Sequence, residues 1–535
     1  LYDIFLMQTG QKESNVIHIG DNWQSDVVIP AQKGVKTFFL PKTKDILFNY
    51  LGNIYTGNSI GTAIDNKGSI IDYSGYFRSL AVRCMYAVAS NIMFDDPYVS
   101  FNRDSDYNGD PYFLGCVPVG MHMFGISWWL LGKVMHLGYD KVHFSSRDGF
   151  YIKKIYDLMY NKLTGTFLKS NYLYVSRKSL IPVEICKNDF VDRILTSCSF
   201  SVNTPRSIIN RYHAVLKPLT GELIEIYKES GFLMDKCFQN EDEFAVFIKE
   251  LKAHQYSEAK AKENFETCKN YLIENIGSND LIFDLGYSGK LHQYMVEALG
   301  QDVAGVYVYK DGYNAIRRIE DKSLTIYSYY DFVLSMGGIV NEYIVSDRSP
   351  SCVGYFKEGS NIRPVFEEKN DDYIGDYVIN EINRGAFRFT EEFLKYFGKR
   401  MNNIKLQPLD ASLLYESFLV KPKQFDQSIF DYCVIEDEFW GGIKRGFLHE
   451  IWEYQREDKK LKISHSVQQI QENDNLRENL EYEVYLKNIH NRNLFFKGLY
   501  WFCVDREFFK KRFSEHIHKQ KKEGDKSGVK RYGKH

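Results

Sequence analysis

The sequence predicts an α/β protein: a partial βαβ unit at the amino end, a helical linker region, a second, doubly wound α/β domain, and a mostly helical carboxyl-terminal region. Three observations carry this. Residues 16–40 run apolar strand, capped helix, apolar strand. From Lys141 onward short apolar runs alternate with amphipathic stretches, the pattern of parallel strands joined by helices. And 44% hydrophobic with 26% charged residues supplies folded cores for the two to four domains that 535 residues imply.

Within residues 1–45, "VIHIG" reads as a strand, Ser25 or Asp26 as helix cap, Gly34 as the helix stop and "VKTFFL" as the return strand. Residues 46–138 read as mainly helical, with "YFRSLAVRCMYAVASNIM" as the clearest amphipathic segment. Pro111 to Gly132 is uncharged over 22 residues, long enough to span a bilayer. Pro118, His122 and four glycines suit it better to a buried core helix, so no transmembrane segment is expected.

The second α/β domain, residues 139–360, takes its strands from "KVHFSS", "NYLYVS", "LIFDLGYSG" and "VAGVYVYK", with "GFYIKKIYDLMY" and "KLHQYMVEALG" as intervening helices. Residues 361–508 turn mostly helical, as in "YVINEINRGAFRFTEEFLKYF". Residues 509–535 form a basic tail expected to be disordered: Lys510 to His535 holds ten Lys/Arg against three Asp/Glu, while the rest of the chain has 58 against 67. The mildly acidic body argues against a nucleic-acid partner. Nine scattered cysteines, odd in number and without a C-x-x-C pair, exclude a disulfide framework or zinc ribbon and favour a reducing cytoplasm.

Chemistry concentrates in "VIHIGDNWQSD". In a doubly wound sheet ligands collect beyond the carboxyl ends of the strands, where this stretch places Asp21, with Asp26 one helical turn on. Gly20 keeps a side chain out of the turn. Two carboxylates so placed suit Mg²⁺, which prefers oxygen and takes few protein ligands beside water and phosphate. The alternative is a pair of capping carboxylates in a βα loop.

G-D-N-x-x-S-D between an apolar strand and a glycine-stopped helix resembles the fourth motif of the haloacid dehalogenase-like (HAD) hydrolase superfamily. The resemblance implies that Asp21 ligates Mg²⁺, that Asp26 supports it and that Asn22 and Ser25 shape the loop. It also implies a D-x-D nucleophile motif, a Ser/Thr motif and a Lys motif upstream, none of which stands in residues 1–15. The expectation is therefore a truncated HAD-like Rossmannoid unit with an incomplete Mg²⁺ site, inactive through an aspartyl phosphate.

Beyond it, "DPYFLG", "GISWWLLGKV", "HFSSRDGFYIKKIYD", "YLYVSRKSL" and "LIFDLGYSGKLHQYM" resemble bacterial HAD-like proteins with a long carboxyl-terminal extension, associated with surface-polysaccharide assembly. Ser146-Arg147-Asp148-Gly149 has the layout of a D-x-D-G motif whose first Asp is a serine. "FDLGYSGK" sets Asp284 at a strand end and Gly286, Ser288, Gly289 and Lys290 at a helix start whose free N–H groups suit an anion. It lacks the P-loop spacing. Ser146, Arg147, Asp148, Asp284, Ser288 and Lys290 are thus candidates for a phosphate or donor crevice. Tight βα turns with satisfied polar groups are the alternative.

"DSDYNGD", Asp104 to Asp110, opens like an EF-hand loop but has Gly115 at its twelfth position, where the bidentate Glu belongs, so it reads as a turn or helix cap. His18, His143 and His292 show no metal-ligand spacing, and no G-x-S-x-G occurs. The function expected is a Mg²⁺-dependent phosphohydrolase of sugar phosphates or small phosphoesters that lacks its nucleophile. The alternatives are a transferase using a nucleotide sugar or other phosphorylated donor, and a non-catalytic scaffold of the same polymer pathway.

Overall fold

A computed structural model describes residues 1–40, 79–95, 102, 104–166, 170–201, 203–286, 289–309, 324–330, 339–369, 372–420, 422–437 and 444–448. The basic tail expected at 509–535, residues 449–508 of the helical region expected at 361–508 and residues 46–78 of the linker region lie outside the described residues.

At the amino end, α1 (Tyr2–Thr9) precedes β1 (Ile17–Gly20), α2 (Ile29–Gln32) and β2 (Lys36–Phe39). β1 and β2 pair in parallel, Ile17 opposite Lys36 through Gly20 opposite Phe39, so the βαβ reading holds. The cap differs from expectation. Asn22, and neither Ser25 nor Asp26, accepts the first amides of the turn, those of Gln24 and Ser25, and a wide turn over Trp23–Val28 precedes α2. Asn is well suited because its short side chain reaches back to those amides. Gly34 stops the unit at φ 78°.

Next come α3 (Leu80–Phe94) and a long apolar helix, α4 (Pro111–Leu114) running through a widened turn at Gly115–Val119 into α5 (Gly120–Leu137). Pro118 sits inside that turn; it offers no N–H to the helical ladder, which accounts for the widening. Among the described residues Pro111–Leu137 is the one helix long and apolar enough to cross a membrane, and 89% of its apolar window is buried inside the protein. Its glycines explain how it is buried. A Cβ on Gly115 would stand 1.9 Å from the Ile382 carbonyl, and one on Gly125 would stand 2.4 Å from the Tyr329 hydroxyl.

The central sheet follows: β3 (Lys141–Ser145), α6 (Phe150–Thr164) and β4 (Ser170–Leu173), then a helical insertion. The insertion comprises α7 (Ile181–Cys186), α8 (Phe190–Ser197), α9 (Pro205–Arg211), α10 (Gly221–Glu229), α11 (Glu241–His254) and α12 (Glu258–Asn275). The sheet resumes with β5 (Asp280–Asp284), α13 (Lys290–Leu299), β6 (Ala304–Tyr307) and β7 (Ile326–Ser328). All four strand pairs are parallel and the spatial order is β4-β3-β5-β6-β7. Every residue of β5 is buried, as a central parallel strand requires.

The sheet is covered on both faces. Phe144, Leu281, Phe283 and Val306 pack into one core with α3, α5 and α6, while Leu173 and Ile282 pack into another with Cys268, Leu272 and Met295 of α12 and α13. The insertion has a core of its own, built on Phe190, Tyr212, Tyr227, Phe247 and Leu251.

Beyond β7 lie α14 (Ile339–Val345), an antiparallel hairpin of β8 (Cys352–Glu358) and β9 (Asn361–Phe366), α15 (Tyr373–Phe397), α16 (Pro408–Val420), α17 (Gln424–Gln427) and a second hairpin, β10 (Val434–Asp437) with β11 (Lys444–Phe447). α15 and α16 share the core of α3, α5 and the sheet. The aromatic stripe of α15 is packing: Phe389 and Phe393 meet the ring of Phe124 in α5.

Candidate functional site

The two stretches singled out by sequence lie in different surroundings. In the amino-terminal turn Asp26 accepts the Asn22 amide at 2.8 Å and the Ser25 hydroxyl at 2.9 Å, and its other neighbour is His18 Nε2 at 3.3 Å. These hydrogen bonds, that from Asn22 foremost, lower its pKa. A Cβ on Gly20 would stand 2.3 Å from Asp26 Oδ2, so the Asp26 side chain would have to shift to admit one. Asn22 and Ser25 thus do shape the loop around Asp26, and Asp21 is exposed beside it. His18, read from sequence as merely structural, is the neighbour of Asp26 that was missed; its place two residues before Gly20 on the strand was the available signal.

The second site lies at the reversal of strand order in the five-stranded sheet. β3 is followed in the chain by β4 on one side, and the chain then crosses to β5 on the other. Loops that leave two neighbouring strands in opposite directions open a crevice at their carboxyl ends. β3 delivers Arg147 and Asp148 to that crevice, and β5 delivers Asp284.

Arg147 is one of two non-glycine residues with positive φ among those described, at 65°. Such a backbone persists only where its surroundings hold it. Its amide donates to the Tyr172 hydroxyl at 2.7 Å, its carbonyl accepts the Asp347 amide at 3.0 Å, and its Nη1 donates to Ser351 at 2.7 Å. Its Nε is buried and has no hydrogen-bond partner. Gly149 follows because a Cβ there would stand 2.7 Å from both the Phe144 Cβ and the Ser145 carbonyl.

Asp148 accepts the Ser346 hydroxyl at 2.7 Å. Burial raises its pKa, against the lowering effects of Ser346, Arg147 and Arg177. Asp284 is buried, and its pKa is pushed up to about 8, first by burial and then by the charges of Asp148 and Glu342, with the Leu285 amide and Arg177 acting in the opposite direction. The charge of Asp148 thus helps to keep Asp284 protonated, and a cation bound beside them would relieve it. Among the described residues no group of three His, Cys, Asp or Glu side chains is placed to hold a metal.

Two candidates turn away. Ser146 donates its hydroxyl to the Val175 carbonyl at 2.7 Å, toward the loop after β4. Lys290 lies 3.3 Å from Glu184 of the helical insertion, an ion pair that a reading of its own loop could not foresee. Ser288 lies outside the described residues, although Gly286 and Gly289 on either side take positive φ, and a Cβ on Gly286 would stand 2.0 Å from the Tyr309 carbonyl.

Arg177, Glu342, Ser346 and Ser351 were missed. Arg177 had a signal, since it follows the β4 strand end in "YVSRKS". The other three come from segments nearly 200 residues beyond Arg147 and bear no local mark. Of the other two histidines noted in the sequence, His143 pairs with Asp280 at 2.7 Å and His292 contacts the Val303 carbonyl at 2.5 Å. The eight cysteines among the described residues are free thiols. Compared with family profiles and with curated proteins, the chain matches none.

Proposed function

We propose that the chain binds a phosphorylated small molecule in the crevice at the carboxyl ends of β3 and β5, and transfers a group from it. The observation that carries this is the meeting of two carboxyls with raised pKa, half-buried Asp148 and buried Asp284, the charge of the first helping to raise the second, with an arginine whose Nε lacks an acceptor. A divalent cation fits between such carboxyls, because neutralising them removes the cost that keeps Asp284 protonated. Asp148 and Asp284 would hold it, and it would supply charge neutralisation to a phosphate. Arg147 and Arg177 add positive charge, and the unsatisfied Nε–H of Arg147 would donate to a phosphate oxygen.

An aspartyl phosphate at position 146 is not available to this crevice. Ser146 stands where the resemblance would have a nucleophilic Asp, and its oxygen is engaged with Val175. The reading takes direct transfer to an acceptor, with a nucleotide sugar or sugar phosphate as the donor class. The resemblance to polysaccharide-associated proteins supplies the pathway, and the free thiols suit a cytoplasmic setting.

Calorimetric titration of nucleotide sugars and sugar phosphates, with and without Mg²⁺, tests this. Cation-dependent binding lost in Asp284→Asn supports it. Binding that survives Asp284→Asn and Arg147→Gln together refutes it, and absence of binding by any phosphorylated ligand leaves the non-catalytic scaffold.

The second reading keeps the HAD-like phosphohydrolase, with Asp21 and Asp26 as part of its Mg²⁺ site. The tight fit of Gly20 against Asp26 favours it, since that loop is built around the carboxylate. Mg²⁺-dependent phosphate release that Asp21→Asn abolishes and Asp284→Asn leaves intact would establish it over the first.

A further inference from the structure

Ser145 ends β3, one residue before the stretch that the sequence singles out. It is 1% exposed, and its hydroxyl oxygen is buried without a hydrogen-bond partner. A hydroxyl withdrawn from water and left unpaired is costly to the fold. Its neighbours show the contrast. Ser146 donates to the Val175 carbonyl at 2.7 Å, and His143, two residues back on the same face of the strand, meets Asp280 at 2.7 Å.

The sheet decides where that hydroxyl points. β3 and β5 are parallel neighbours with Phe144 opposite Phe283, so Ser145 and Asp284, the last residues of the two strands, stand opposite one another on the next rung. Adjacent strands lie about 4.8 Å apart. Phe144 and Phe283 fill the core on one face of the sheet, whereas Ile282, and Leu173 opposite Ser145 on β4, fill the core on the other. Side chains alternate along a strand, so Ser145 and Asp284 leave the sheet together on that second face. The turn after β3 folds back over the strand end, its Gly149 amide donating to the Ser145 carbonyl at 2.8 Å, and carries Asp148 with it.

Two carboxyls and one neutral hydroxyl are thus gathered from two strand ends and one turn. Hard divalent cations prefer oxygen and accept a serine hydroxyl beside carboxylates. A neutral oxygen adds a ligand without adding to the repulsion between Asp148 and Asp284. We propose that Ser145 is a further ligand, through its hydroxyl oxygen, of the divalent cation held by Asp148 and Asp284. The inference rests on the cation-binding reading of the crevice and extends it to a residue outside the motif.

Mn²⁺ titrated into the full chain at pH 8.5, followed by water-proton relaxation, tests it. Affinity is expected to fall several-fold in Ser145→Ala. In Ser145→Cys, nearly unchanged in size, preference should turn from Mn²⁺ toward Cd²⁺, because a soft sulfur replaces a hard oxygen on the metal. A merely structural serine would not move that preference. Without cation, urea midpoints should not fall in Ser145→Ala, since no hydrogen bond is lost. Unchanged Mn²⁺ affinity in Ser145→Ala, no gain in Cd²⁺ preference in Ser145→Cys, or a lowered cation-free midpoint in Ser145→Ala overturns the proposal. Mn²⁺ binding that Asp284→Asn abolishes and Ser145→Ala leaves intact overturns the role of Ser145 alone, whereas no Mn²⁺ binding by the unaltered chain overturns the cation-binding reading as well.

Discussion

Asp148 and Asp284 end neighbouring parallel strands, and the charge of the first helps to push the pKa of the second up to about 8. A pair so arranged is a poor place for two negative charges and a good place for a cation between them. The consequences are measurable without knowledge of the substrate.

Cation affinity should rise with pH. Below a pKa of about 8 a proton must leave Asp284 for each cation bound, so affinity falls about tenfold per pH unit there, or roughly 20-fold between pH 8.5 and 6.5. Titration of Mn²⁺ followed by water-proton relaxation should show that slope, and Asp284→Asn should abolish it.

Without cation the same carboxyl affects stability in the opposite direction from an ordinary salt-bridged Asp. Its folded pKa is raised above the unfolded value, so the native state holds the extra proton. Stability is greatest below the unfolded pKa of about 4 and is lost as pH rises toward 8. Urea midpoints between pH 5.5 and 8.5 should fall in the unaltered chain and fall less in Asp284→Asn.

His122 acts with the other sign. Burial lowers its pKa to about 3, and its Nδ1 meets the Tyr330 hydroxyl at 2.7 Å while its ring stacks on Tyr415. The unfolded chain takes up a proton near pH 6.5 that the native state refuses until near pH 3. Stability is therefore lost as pH falls through that window, by at most about 3 kcal/mol between pH 7 and pH 4. His122→Phe should be less stable at pH 7, because Tyr330 loses a partner, yet should lose less on acidification.

The loop Asp104–Asp110 should ignore Ca²⁺. Its amides already surround an internal carboxylate: Asp426 accepts the amide of Asp106 at 2.6 Å, those of Tyr107 and Gly109 at 3.1 Å each, and the Ser105 hydroxyl. Asp110 caps α4 through the Tyr112 amide. Millimolar Ca²⁺ should leave the melting temperature unchanged. Asp426→Ala, which strands those buried donors, should cost about 3 kcal/mol or more, and Asp426→Asn less.

The contact of α4 and α5 with α15 should tolerate no added methyl. A Cβ on Gly385 would stand 2.1 Å from the Tyr112 carbonyl, a backbone atom that cannot rotate away. Gly385→Ala should cost about 3 kcal/mol or more in urea denaturation, while Gly132→Ala, with open space around it, should cost nothing measurable.

The apolar runs around Val16, Lys141 and Leu281 determined their own strands, and the glycines at 34 and 300 ended their helices, because local periodicity and backbone freedom act over a few residues. The burial of Pro111–Leu137 was legible too, since glycines and a proline suit close helix contact. So was the strand-end position of Arg147, Asp148 and Asp284. The tertiary structure alone decided which of these strand ends meet. Strand order is a long-range choice: it brought Asp148 beside Asp284, drew Glu342 and Ser346 to them and Ser351 to Arg147, and turned Lys290 away to Glu184. Those placements depend on burial and charge between segments far apart in the chain, and no stretch of sequence contains both halves of the interaction.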